Sequence, residues 1–510
     1  MRLYFCLLLV LSFVVSCQSE DTPQPPPVNI SSVMPAKAFA GARVFLNLER
    51  IPQDKGITIS LDGEDIEPAA RSIDRIDFFI PMGASVGTKD IVLNLDGKNF
   101  TRQIKVIDVS DYDLHSIEKI GTIPAAGTNE ALRTASNFFE QYRPLARIHA
   151  VFDVDVYKIV YDTELSTKTT RTSALLCLPA TIEEMPVLSI QNVTITRHSD
   201  APTKALKLID ISNPLGAFMN RDVNIVPLLL CAFATEGYIT VIPDYIGFGE
   251  SEDEVHPYYV RVPTAKSVRQ AIAHATQFLL GYGRAHNRRL YLMGYSQGGF
   301  ASLAAQRLIE SKPIPSLTLM KVNAGSGAYD ISHMRTYVRG RNTYEQLGFF
   351  PYAVLAYKAY VPGLADLDLA AIFQSHTEAE IRALYDGSKS LLEIGDALGN
   401  KVRTLFTDAV LTDETTFATA ALTAALHEAF EANSLNQGWV PSTPMHLYHG
   451  DADELVPKEN TNKVVQDLRV LSSADLIGET IYKDTNPELT THFNTGIIFY
   501  ADALKDFRER

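Results

Sequence analysis

The sequence predicts two folded parts: a small all-β unit over residues 28–109, then an α/β unit built on a mainly parallel sheet over residues 110–510. Three observations carry this reading. Between Val28 and Val109, short β-rich runs are punctuated by Asp62-Gly63 and Asp96-Gly97, the dipeptide that best signals a tight hairpin. From about Val151 onward, short apolar runs alternate with longer stretches of helical periodicity, as βα units around a parallel sheet do. One of those runs passes directly into Gly294-Tyr295-Ser296-Gln297-Gly298.

Composition bounds the function. The 510 residues are 46% hydrophobic and 21% charged, which excludes wholesale disorder. Sixty acidic against 46 basic residues give a net charge of −14. With no basic run longer than a dipeptide, no nucleic-acid partner is expected, since phosphate neutralisation supplies much of that affinity. Four cysteines exclude a disulfide scaffold and a Cys-rich metal site. No cofactor and no metal are expected.

The elements follow in chain order. Arg2 and the apolar Leu3–Val15 have the form of a signal peptide over residues 1–16, too short for a membrane span. Beyond it no apolar run reaches spanning length. Val14-Val15-Ser16-Cys17 resembles a bacterial lipobox, which implies lipidation of Cys17 and a membrane anchor. Gln18-Ser19-Glu20-Asp21 resembles the export tag of surface lipoproteins in the Bacteroidetes. It implies an outer-membrane, surface-exposed location, with a periplasm-facing one as the alternative. Residues 17–27 end in Pro23-Gln24-Pro25-Pro26-Pro27, a stiff spacer. Cys177 and Cys231 lie in apolar runs as buried thiols do, and their pairing stays open.

In the all-β unit, Ile57–Leu61, Ile76–Ile80 and Ile91–Leu95 are strands, and without a helix the unit is predicted to be a β-sandwich. Ile30-Ser31-Ser32-Val33-Met34-Pro35 with Gly41, and Ile80-Pro81 with Gly87, resemble the IPT/TIG family of immunoglobulin-like modules. It holds no catalytic cluster, so a spacer or a module contacting glycan or protein is expected. In the α/β unit, Val156–Asp162 and Thr172–Leu178 form a leading antiparallel pair. Val187–Gln191, Tyr238–Pro243, Leu290–Gly294, Leu317–Asn323, Met445–His449 and Thr480–Lys483 are core strands. Helices are predicted at Pro227–Glu236 and Ala265–Leu280. An Ala- and Leu-rich stretch at about 333–438 interrupts the alternation and reads as a helical cap over the sheet edge.

The strand running into Gly294-Tyr295-Ser296-Gln297-Gly298 and then a helix is a nucleophile elbow, which makes the second part an α/β-hydrolase fold. The turn is so tight that flanking side chains would collide, hence Gly294 and Gly298. A serine hydroxyl needs a base, itself oriented by an acid, in the order Ser, Asp or Glu, His. Of the later histidines, His333, His376 and His427 fall in the cap, and His446 and His449 within a strand. His492 stands in a loop after the last strand, where the base belongs. The acid follows the penultimate strand, in His449-Gly450-Asp451-Ala452-Asp453-Glu454-Leu455-Val456-Pro457. The pattern resembles the His-Gly-x-x-Asp-x-x-Val-Pro of α/β-hydrolases and selects Asp453, leaving Asp451 and Glu454 as solvated turn residues. The oxyanion hole takes the backbone N–H of Gln297 and a second one near Asn192 or Val193, after the strand Val187–Gln191.

Pro243-Asp244-Tyr245-Ile246-Gly247-Phe248-Gly249, His256-Pro257-Tyr258, the elbow, and Trp439-Val440-Pro441 together resemble the secretory lipases of the lipase A type. The resemblance covers residues of about 140–505 and implies a capped hydrolase that cleaves acyl esters, often lipidic ones. Relatives often carry a His-Gly pair where this chain has Asn192-Val193. The expected function is a surface-anchored serine carboxylesterase or lipase with an acyl-enzyme on Ser296. A glycan esterase removing acetyl or feruloyl groups is the enzymatic alternative, and a glycan-binding surface lipoprotein the non-enzymatic one. Residues 346–364 are dense in apolar groups, so Phe349 and Phe350, with Tyr295 beside the nucleophile, are candidates for an acyl cleft holding several carbons.

Overall fold

The computed structural model describes residues 30–49, 56–165, 168–219, 224, 226–421 and 423–508. The signal peptide, Cys17 and the proline-rich spacer lie outside the described residues. The first part contains β1 (Ile30–Met34), β2 (Lys37–Ala38), β3 (Arg43–Leu48), β4 (Ile57–Leu61), β5 (Glu64–Ile66), β6 (Pro68–Arg71), β7 (Arg75–Phe79), β8 (Gly87–Leu95) and β9 (Lys98–Val106). They make a four-stranded sheet, β1-β3-β7-β6, and a five-stranded one, β2-β9-β8-β4-β5. Val44, Leu46, Ile76 and Phe78 of the first share a core with Ile59, Leu61, Ile91 and Leu93 of the second. At both Asp-Gly sites the strands close over two residues, Leu61 facing Glu64 and Leu95 facing Lys98. All four turn residues have positive φ, from 48° at Asp62 to 87° at Gly63, as the hairpin turn that matches strand twist requires.

The second part is built on β10 (Ser116–Ile123), β11 (Val154–Glu164), β12 (Thr169–Pro179), β13 (Met185–Gln191), β14 (Ile239–Pro243), β15 (His286–Tyr295), β16 (Thr318–Gly325), β17 (Met445–Gly450) and β18 (Ile477–Tyr482). Their order is β10-β11-β12-β14-β13-β15-β16-β17-β18. Strands β10 to β12 are antiparallel, β12 meets β14 antiparallel, and the rest run parallel. This is the α/β-hydrolase fold. The helix Arg261–Tyr282 buries Val268, Ile272 and Leu279, the stripe that its periodicity predicts. Cys177 on β12 and Cys231 on the helix Val226–Ala232 are free, fully buried and 3.0 Å apart.

Between β16 and β17 the chain leaves the sheet and forms a helical cap, including Ile331–Arg339, Phe349–Tyr360, Glu378–Leu384, Leu391–Leu398 and Ala424–Asn433. The outgoing and returning segments are clasped together at its base. Asn460 accepts from the backbone N–H of Tyr329 and of Asp330 and donates to the Asp330 carbonyl. Leu435 N–H donates to the Tyr329 carbonyl, and Ile331 N–H to the Ser434 hydroxyl.

The two parts meet through a buried contact. Arg43 on β3 forks onto Asp155 on β11 at 2.6 and 2.9 Å and reaches Asp77 at 3.3 Å. Tyr282 donates to the Arg43 carbonyl at 2.7 Å, and Phe39 packs on Phe278. Burial works against the Arg43 charge, but the hydrogen bond and the charge of Asp155 outweigh it and hold the guanidinium firmly protonated.

Candidate active site

Ser296 sits between β15 and the helix Gln297–Ser311 with φ 57° and ψ −120°, a backbone strain that surrounding structure must hold in place. Its N–H donates to the Gly325 carbonyl at 2.8 Å. A Cβ on Gly294 would lie 2.3 Å from the Gly298 carbonyl oxygen, and one on Gly298 2.3 Å from that of Gln191. No side chain fits at either position.

His492 Nε2 lies 2.9 Å from Ser296 Oγ, and His492 Nδ1 lies 2.7 Å from Asp453 Oδ2. All three side chains are buried. His492 is not in a loop. It opens the helix His492–Arg508, and its N–H donates to Glu454 at 3.1 Å. Glu454, expected to be a solvated turn residue, thus stays exposed but accepts from the helix N-terminus. Asp451 is exposed and pairs with Lys458. Asp453 is fully engaged: Oδ1 accepts from the N–H of Leu455 and of Val456, and Oδ2 also faces His449 Nε2 at 3.2 Å. Burial alone would raise its pKa. The charges and hydrogen bonds of His492 and His449 outweigh that and hold it well below the usual carboxylate range.

Gln297 opens its helix, so helix geometry leaves its backbone N–H without an intrahelical acceptor. After β13, the two expected positions are held differently. Val193 N–H donates to Oδ1 of Asn192 at 3.0 Å and is committed in this state. Asn192 lies against the elbow, its carbonyl accepting from Tyr245. Of the histidines set aside, His446 and His449 do lie within β17. Among the described residues, no group of three or more His, Cys, Asp or Glu is placed to hold a metal ion.

A cavity of about 50 Å³ opens on Ser296 and is lined by Tyr258, Tyr344, Phe349, Phe350 and Phe430 among others. Tyr295 does not line it. Its ring packs on His492 and Phe499, and its hydroxyl donates to the His492 carbonyl at 2.6 Å. The cavity is smaller than the apolar density of residues 346–364 predicts, because aromatic rings there pack on one another. Tyr258 stacks on Tyr352 at 4.5 Å, Tyr352 on Tyr385 at 4.8 Å, and Phe350 meets Phe406 edge-on.

The family model "Secretory lipase" matches residues 218–493, more than half of the chain. The chain belongs to the secretory lipase family. It is a serine esterase or lipase by family, and an ester is its substrate. No curated protein sequence matches this chain. Among solved structures, it is similar to the rice cell wall degrading esterase LipA from Xanthomonas oryzae in a ligand-bound form, at 20% identity and TM-score 0.65, covering 78% of this chain and 98% of that one. A putative hydrolase from Legionella pneumophila matches at 21% identity and TM-score 0.62, covering 78% and 97%. Candida antarctica lipase A in its closed state matches at 16% identity and TM-score 0.50, covering 75% and 77%. At these identities the likeness is one of fold.

Sequence reasoning missed two histidines that the protein packs around this centre, His449 behind Asp453 and His256 behind Gln297. Each stands in a quoted motif, His-Gly-x-x-Asp and His-Pro-Tyr, and that was their only signal. Among the described residues no helix is long and apolar enough to cross a membrane.

Proposed function

We propose that this protein is a serine carboxylesterase acting on esters of short acyl groups through an acyl-enzyme on Ser296. The unbroken chain from Asp453 through His492 to Ser296 carries the reading. His492 takes the Ser296 proton as the hydroxyl oxygen attacks the ester carbonyl, and Asp453 steadies the imidazolium. The carbonyl oxygen gathers negative charge against the N–H of Gln297. His492 then gives its proton to the departing alcohol. In the second half, water loses a proton to His492, attacks the acyl carbon, and Ser296 leaves with that proton restored.

The size of the cavity supports short acyl groups. An apolar cavity of ~150 Å³ admits benzene, and this one is about 50 Å³. An acetyl or propionyl group fits that ratio. A glycan acetyl ester is therefore the second reading, favoured by this slot. The fold likeness to an esterase described as degrading rice cell wall is consistent with it. Steady-state rates on p-nitrophenyl esters from acetate to palmitate test both parts. Turnover should peak at acetate to butyrate and vanish in Ser296→Ala with the fold kept. Retained turnover in that variant sinks the nucleophile, and a palmitate optimum sinks the short slot. We also propose that Cys17 carries a lipid anchor to the outer membrane and that the first part is an IPT/TIG-like module. Cys17→Ala should move the protein from the membrane to the soluble fraction, and retention there would place the anchor elsewhere.

A further inference from the structure

The peptide N–H after the nucleophile belongs to Gln297, whose side chain is also buried. Gln297 Nε2 lies 2.6 Å from His256 Nε2, and His256 Nδ1 lies 2.8 Å from the Ile246 carbonyl oxygen. For a neutral imidazole only one arrangement satisfies both contacts. A carbonyl accepts and cannot donate, so the His256 proton sits on Nδ1. Nε2 is then a bare lone pair and receives an N–H from Gln297. Burial among rings draws the His256 pKa down to about 4, so the imidazole is neutral at pH 7 and the amide cannot turn its oxygen towards it. Phe248 lies 5.0 Å from the ring, Tyr352 5.4 Å and Tyr245 5.8 Å. Gln297 Oε1 is buried and has no partner among the described residues, so the lone pair of His256 is the one contact that orients this amide.

The first helical turn is thus held at two points. The Ser296 N–H is tied to Gly325, and the Gln297 side chain is tied to His256. A turn with a strained serine keeps its shape only where the surroundings fix it on more than one side. We propose that His256 is a positioning residue for the oxyanion hole, holding the Gln297 amide so that the N–H next to Ser296 stays aimed at the developing oxyanion. The inference rests on the proposed role of Ser296 and Gln297 in ester hydrolysis. His256 touches no reacting atom. It sets the direction of one that does.

The test compares His256→Phe, Gln297→Met, the double variant and His256→Gln in the full chain. Rates are measured on p-nitrophenyl acetate, and binding with a short alkyl trifluoromethyl ketone, which forms a tetrahedral adduct on the serine. Each single variant should lose roughly ten- to a hundredfold in kcat, less than outright removal of a donor, with KM within about twofold. The inhibition constant for the ketone should rise by the same factor, because it reports the same tetrahedral geometry. The double variant should be no worse than the poorer single one, since both break one bond. His256→Gln, whose side-chain oxygen can accept from Gln297, should recover most of the loss. Unchanged kcat, losses that multiply in the double variant, or a change in KM alone would overturn the role. If His256→Phe does not fold, Gln297→Met and His256→Gln carry the test alone. Activity surviving in Ser296→Ala refutes the reaction assigned to the site, a result separable from any of these.

Discussion

Replacing Asp453 by Asn has an outcome that the structure fixes closely. The N–H groups of Leu455 and Val456, at 3.0 and 2.8 Å, both donate to Oδ1. In the amide, the oxygen must keep that place, so the nitrogen takes the position of Oδ2. There it faces His492 Nδ1 at 2.7 Å as a donor. The histidine can accept only by moving its proton to Nε2, which then points at Ser296 Oγ, 2.9 Å away. The hydroxyl loses its base, and an imidazolium forming there would lack a counter-charge. The same exchange in the Ser-His-Asp template costs about 10⁴ in kcat, or ~5.4 kcal/mol at 1.36 kcal/mol per decade. Steady-state hydrolysis of p-nitrophenyl acetate reads this directly, with Asp451→Asn and Glu454→Gln as controls expected to lose less than about fivefold. A loss below about tenfold for Asp453→Asn, or an equal loss for Asp451→Asn, would refute the reasoning.

Arg43→Ala strands two buried carboxylates, with Thr122 and Lys119 still near Asp155 and Arg75 near Asp77. It should cost about 3 kcal/mol, the low end for breaking a buried pair, lowering the urea midpoint by roughly 1 M at a slope of ~3 kcal/mol/M. A shift under about 0.2 M would mean the contact is dispensable. His256 has a folded pKa lowered to about 4, so between pH 6.5 and 4 the unfolded chain binds a proton that the native one does not. Its contribution is intact above pH 6.5 and falls by about 3 kcal/mol on the way to pH 4. His256→Gln should flatten that part of the urea-midpoint profile, and parallel profiles would contradict it. Phe349→Ala should widen the slot and raise hexanoate relative to acetate by more than about tenfold, at ~0.8 kcal/mol per buried methylene. A uniform loss on every chain length would make the residue structural.

What could be read in advance depended on how local the signal was. Both Asp-Gly hairpins and the buried runs of β13 to β17 were plain, because turn chemistry and apolar clustering are written into consecutive residues. The elbow was plain for the same reason. The edge strands were not: β10 went unpredicted, and β18 runs from Ile477 to Tyr482, earlier than Thr480–Lys483. Their residues are mostly half-exposed, so no apolar pattern marks them. At the site, Ser296, Asp453 and His492 could be named from order along the chain. Contacts across long separations could not. Nothing near Arg43 announces Asp155, and nothing near Gln297 announces His256. Likewise, the commitment of Val193 N–H to the Asn192 side chain is a choice of rotamer, which sequence does not encode. The small cavity was hidden because apolar density in residues 346–364 says that rings are buried, not how much space they leave.

The clasp at the base of the cap has a consequence for how this enzyme can diversify. The segments entering and leaving the cap meet at Tyr329–Ile331 and Ser434–Leu435, joined to each other and to Asn460. Everything between them is an excursion whose two ends are pinned at one point. The span that the rest of the fold must accommodate is therefore the same whatever the length of the excursion. Changes in length within the excursion leave the chain path of the elbow, the Asp453 turn and the His492 helix unaltered, since all three lie outside the pinned ends. This holds provided that Tyr344, which donates to the Leu455 carbonyl, and Tyr352, which packs on His256, are kept. The cap nevertheless supplies Phe349, Phe350 and Phe430 to the space above Ser296. Inheritance can thus alter substrate choice through the cap while the places of Ser296, Asp453 and His492 in the fold stay fixed.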